Sequence, residues 1–192
     1  MANASTTGFG LKPIKMVGQS DENMGLAEFP VAASSSAIYF QDLVTQAATG
    51  YITVSAAATT HNLGSLNGVF YTDTTSLKPT FKNYLPASIS ATDIQALVNS
   101  NPLQMYEVRS NNSGASAQLD VGNSAEISYS AGVTPNWISR TTLDDSTLHT
   151  SSSQQLKIIG LSRDPDNRDL TAAGVVWRVI IMENFVLAVT AV

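Results

Sequence analysis

GVVWRVIIMENFVLAVTAV, Gly174 through Val192, decides the fold, because so apolar a run reads either as a membrane-spanning helix or as strands. Arg178 and Glu183 interrupt it, Asn184 follows, and β-branched residues run throughout. A spanning helix needs about twenty nearly uncharged residues. Two buried strands meeting at a turn near Glu183 and Asn184 fit better. No membrane partner is expected.

The same strand style extends outward from this tail. LQMYEVRS, AQLDVG, NSAEISYS and QQLKIIGLS precede it, and AIYFQDLV, GYITVSA and GVFYTDT occupy the first half. Each is a short β-branched or aromatic run closed by turn residues, which predicts a mainly β protein of barrel or sandwich type. KPTFKNYLPA reads as a polar, proline-bounded connection. SATDIQALV predicts one short helix: Ser90 caps it, Asp93 takes the third helical position, and Ile94, Leu97 and Val98 form its apolar face. It ends before Pro102, as the residue preceding a proline disfavours helix.

Residues 1–30 show neither period and are broken by Gly8, Gly10, Pro13, Gly18, Gly25 and Pro30. The reading is an extended N-terminal arm that docks on another surface, with Phe9, Leu11, Ile14 and Met16 as anchors. Its removal is then expected to leave the β-domain folded. Residues 31–100 form a first β-rich subdomain ending in the helix and 101–192 a second, or 31–192 one compact unit. Val186, Leu187 and Val189 are expected to be buried in the barrel or at an oligomer interface.

Composition narrows the function classes. The 192 residues are 43% hydrophobic but only 13% charged, with a net charge of -5. Few charges suit extended contact with protein, where a buried charge is costly. An acidic balance disfavours coating a nucleic acid. The chain has no cysteine, so disulfides and thiolate chemistry are excluded. MANASTTGFGLKPIKM holds no apolar run of signal-peptide length, so a cytosolic origin is expected and the Asn3 and Asn111 glycosylation patterns carry no weight.

The most chemical-looking stretch is QQLKIIGLSRDPDNRD, Gln154 to Asp169. A calcium loop starting at Asp164 would place Asp166 third, Arg168 fifth, Asp169 sixth and Val175 twelfth. Arginine cannot ligate a cation, glycine is missing at the bend and glutamate at the end. A solvated turn, with Asp and Asn bonding their own backbone, is expected. Ser151, His149 and Asp145 are neighbours on a polar loop and do not make a triad, and no Gly-x-Ser-x-Gly elbow is present. His61 and His149 read as loop residues. Asp144 and Asp145 are adjacent and would point to opposite faces of a strand, so they would not flank one bond. Gly8-Phe9-Gly10 lacks the third glycine and helix of a phosphate loop. No catalytic, metal or cofactor site is expected.

One resemblance covers most of the chain. The carrying stretches are Gly8-Phe-Gly-Leu-Lys-Pro-Ile14, Ala37-Ile-Tyr-Phe-Gln-Asp-Leu-Val44, Gly68-Val-Phe-Tyr-Thr-Asp73, Asn101-Pro-Leu-Gln-Met-Tyr-Glu-Val108, Leu156-Lys-Ile-Ile-Gly-Leu161, Asp166-Asn167 and Val176-Trp-Arg-Val-Ile180. In this order they resemble capsid decoration (cement) proteins of tailed bacteriophages; the tail beyond Asn184 departs from the pattern. The resemblance implies a β-rich, non-enzymatic virion protein on the capsid exterior, made in the host cytoplasm. It would clamp adjacent subunits of the major capsid protein as a homo-oligomer, a trimer before a dimer. The alternative is a tail-fibre or adhesin module binding a glycan, for which Trp137 beside Asp144 could serve.

Overall fold

The computed structural model describes residues 3, 7–18, 25–112, 115–150 and 154–187. The chain is mainly β, and every pairing between its strands is antiparallel. The first strands are β1 (Lys12–Met16), β2 (Leu26–Pro30), β3 (Leu43–Gln46), β4 (Ile52–Val54) and β5 (Asn62–Thr72). They are followed by β6 (Pro79–Lys82), β7 (Gln95–Asn99), β8 (Gln104–Arg109) and the two-residue strands β9 (Ser124–Ala125), β10 (Ile127–Ser128) and β11 (Thr142–Leu143). β12 (Leu156–Leu161) and β13 (Val176–Ile181) complete the set.

One sheet runs β1-β8-β13-β12-β9 and the other β2-β7-β5-β3-β4, with β6 also on β5; β10 and β11 form a small ribbon. Each sheet has its own hydrophobic cluster. Tyr106, Val108, Leu156, Ile158, Trp177 and Val179 build the first, with Leu11 and Leu43 reaching in from the other half of the sequence. Val44, Leu63, Leu66, Val69, Tyr71, Ile94, Ala96 and Val98 build the second, with Val31, Ile38 and Leu85. Period-two alternation is clear in β13, where Trp177, Val179 and Ile181 are buried and Val176, Arg178 and Ile180 only half so.

Four sequence expectations are corrected. The stretch predicted as a helix is β7, the strand between β2 and β5. Ala96 and Val98 bury one face at period two, Ser90 is exposed beside the Thr74 hydroxyl, and the Asp93 carboxylate accepts the Thr72 N–H. Two ladders outweigh a weak local helix preference. Among the described residues the only helical pieces are 3-10 turns at Gln118–Asp120, Asp145–Thr147 and Phe185–Leu187.

Residues 1–30 do not form a free arm where they are described. β1 pairs with β8 and β2 pairs with β7. Leu11 is wholly buried and Met16 nearly so, while Phe9 and Ile14 are half-buried. KPTFK is likewise not a bare connection but holds β6.

The tail does not make a second strand directly after the turn. Asn184 bridges to Asn62, and Phe185 to Leu187 turn as a 3-10 element. Phe185 packs on the second cluster, whereas Val186 and Leu187 are exposed and so are not in the core; Val189 lies outside the described residues.

A candidate docking cleft

The acidic stretch lies in the 162–175 connection between β12 and β13. Two of its carboxylates, Asp164 and Asp169, accept hydrogen bonds from within the stretch. Asp164 Oδ1 accepts the Asp166 N–H at 3.0 Å, and the Asp164 carbonyl accepts the Asn167 N–H at 3.0 Å. Asp169 accepts both the N–H and the hydroxyl of Thr171, which hold its pKa below the usual carboxylate value. Asn167 is buried, donating to the Val176 carbonyl and accepting the Val176 N–H, each at 2.8 Å, as a strand neighbour would. The stretch is a fastened turn, and no group of three His, Cys, Asp or Glu side chains among the described residues has the geometry to hold a metal.

The other candidate residues have structural partners. His61, half-buried at positive φ, places a ring nitrogen 2.8 Å from the Thr60 hydroxyl. His149 is exposed and exchanges backbone hydrogen bonds with Ser124; Ser151 lies outside the described residues. Asp145 is buried, accepts the Ser110 hydroxyl, and has its pKa raised by burial. Asp144 caps the 3-10 turn through the Ser146 N–H and accepts from Asn111. Trp137 stacks on Tyr84 at 4.3 Å and on Tyr39 at 6.3 Å, fixing its loop to two others.

The Gly-Phe-Gly segment was legible as a motif but not by its role. It threads between two loops. Gly10 donates to the Thr141 carbonyl at 3.1 Å and Leu11 to the Gln41 carbonyl at 2.9 Å. A Cβ at Gly8 would collide with the Arg140 carbonyl, and one at Gly10, where φ is +75°, with the Gln41 carbonyl. Both glycines therefore serve close backbone approach. Phe9 stands between them as a ridge with a cleft on either side.

The larger cleft, about 420 Å³, is an open groove between this ridge and the acidic turn. Phe9, Phe40, Ile138 and Val176 supply its apolar lining. Lys12, Glu107, Asp164 and Asp166 supply its charges. Lys12 Nζ lies 3.7 Å from Glu107, whose other carboxylate oxygen accepts the Ser162 hydroxyl at 2.6 Å. The smaller cleft, about 360 Å³, is lined by Thr7, Val133, Asn136 and Arg140 and shares Phe9 and Ile138.

Beneath the ridge lies Asp42, fully buried, with Oδ2 accepting the Tyr39 N–H at 2.8 Å and a further hydrogen bond from Ser139. Its other oxygen has no hydrogen-bond partner. Burial pushes its pKa up to about 6. Burial also pushes the Tyr129 phenol up to about 12, with the Asp42 charge adding to the effect.

No family model, curated protein or solved structure matches the chain.

Proposed function

We propose that the protein is a structural virion component that binds the outer surface of an icosahedral phage head. It clamps adjacent major capsid protein subunits, stabilises the shell and performs no catalysis. The observation that carries this reading is the ordered set of sequence motifs, from Gly8-Phe-Gly-Leu to Val176-Trp-Arg-Val, that resembles capsid decoration proteins. A β-rich unit with few charges for its size supports it, because little charge has to be desolvated at a protein–protein contact.

The contact surface differs from a free-arm clamp. Leu11 and Met16 are committed to the chain's own interior, so of the four anchor residues Phe9 and Ile14 retain exposed surface, and Phe9 faces the clefts. A clamp of this kind adds buried surface that must be uncovered before a seam between capsomers opens. At about 25 cal/mol per Å² of apolar area, a few hundred Å² contributes several kcal/mol per copy before the costs of association. Repeated copies around the shell multiply the effect.

Copy number in purified particles is the test. Gel densitometry is expected to give a number of copies close to that of the major shell protein. A few copies per particle would instead make the chain a tail component, and none would remove it from the virion.

A further inference from the structure

We propose that the larger cleft receives an extended segment of the partner protein carrying an arginine or lysine next to an apolar side chain. The inference deepens the capsid-binding reading and rests on it for who the partner is; the chemistry of the occupant comes from the cleft itself. Phe9, Phe40, Ile138 and Val176 leave apolar surface open, Ile138 being 37% exposed. The volume of about 420 Å³ lies within the roughly 300–1,000 Å³ of binding pockets.

Charge selects the occupant. Among the described residues the cleft is lined by three carboxylates, Glu107, Asp164 and Asp166, and one ammonium, Lys12, a balance of two negative charges. Glu107 is already engaged by Lys12 and Ser162. The two carboxylates beyond this pair belong to the acidic turn, where Asp164 Oδ1 accepts the Asp166 N–H. Arg163 and Arg168 flank that turn but do not line the cleft. A guanidinium or ammonium placed at this rim lays its methylene stem over the apolar floor. A nucleic acid would meet repulsion there, and a free small cation would leave the floor uncovered. Lys12, which lines the groove, is also the first residue of β1, the edge strand of its sheet, and a sheet edge can add an extended chain.

The probes are two blocked heptapeptides, one alternating leucine with arginine and one alternating leucine with glutamate, titrated into the full-length ¹⁵N-labelled protein. The arginine peptide is expected to shift the amides of Phe40, Gln41, Asp166 and Asn167, and the glutamate peptide to leave them in place. Asp164→Asn with Asp166→Asn keeps an amide oxygen to cap the turn and is expected to weaken binding about tenfold, as is raising the salt to about 0.5 M. Ile138→Ser, which removes floor and not charge, is expected to weaken it several-fold. Equal shifts from both peptides, shifts confined to another surface, or full affinity in the double variant overturn the proposal. Co-sedimentation with shells of the major capsid protein separates the two claims. Shell binding that survives the double variant sinks the cleft and keeps the capsid reading; peptide binding without shell binding does the reverse.

Discussion

Asp42 shows how one side chain couples a loop crossing to pH. A carboxylate whose folded pKa is near 6, against an ordinary 3.8, makes the folded state hold its proton more tightly than the unfolded state. Its stabilising contribution is complete below about pH 4 and is lost as pH rises through 6, a difference of about 3 kcal/mol for two units. Asp42→Asn carries no such titration. The melting temperature of the variant relative to the parent is expected to rise between pH 4 and pH 6.5 and then level off; a difference that stays flat with pH would show that Asp42 is ionised at no cost. Gly10 acts through space instead of charge. Gly10→Ala forces a Cβ against the Gln41 carbonyl at a positive φ, and is expected to destabilise by about 1–3 kcal/mol in urea unfolding. Gly18→Ala, also at positive φ but with nothing near its Cβ, isolates the conformational part of that cost.

At the scale of elements, sequence period was a good guide wherever both ends of a strand carry large side chains. β8 and β13 announce themselves through Tyr106 and Val108, and through Trp177, Val179 and Ile181. β7 did not, because its inward face is Ile94, Ala96 and Val98, and an alanine weighs too little to distinguish period two from the helical set Ile94, Leu97 and Val98. The neighbours that settle it, Leu66 and Val69 on one side and Ala27 and Phe29 on the other, are distant in sequence. The cleft was illegible for the same reason: Phe9, Phe40, Ile138 and Val176 come from four separate segments, and only Phe9 had been marked as a contact residue. The first strand is the element whose role changes most. Deleting residues 2–18 removes β1, bares an edge of β8 and takes Leu11 out of the first cluster. Losing a buried leucine alone costs about 2–5 kcal/mol. The deletion is therefore expected to lower the melting temperature well beyond the loss of a few surface contacts, and an unchanged melting curve would return residues 2–18 to the status of a free arm.

At the scale of the molecule, a buried polar knot links the two sheets. Gln155, wholly buried at the start of β12, donates to the Ser55 hydroxyl at 3.0 Å, the Ala56 carbonyl at 2.8 Å and the Thr59 carbonyl at 3.2 Å, and accepts the Ile127 N–H at 3.1 Å. Ser55 in turn donates to Asn62 Oδ1 at 2.6 Å, and the Asn62 backbone N–H donates to the Glu183 carbonyl at 2.8 Å. The knot thus ties the β4–β5 connection of one sheet to β12 and the end of β13 in the other. Buried polar groups cost about 1–3 kcal/mol each when left without partners. Gln155→Met fills nearly the same volume but strands the Ile127 N–H, while the Thr59 carbonyl keeps the Asn62 amide and the Ala56 carbonyl the Thr59 N–H, so a loss of about 1–3 kcal/mol is expected. Gln155→Glu keeps the acceptor for Ile127 and removes the donors, and its loss is expected to grow as pH rises and the carboxylate ionises. Calorimetry reads the consequence for cooperativity. The parent is expected to unfold in one transition, because neither sheet can leave without breaking the knot, and Gln155→Met to broaden or split that transition into two. A single sharp transition in the variant, lowered by less than the cost of one stranded group, would mean that the apolar contacts of Leu11 and Leu43 join the halves and that the knot is incidental.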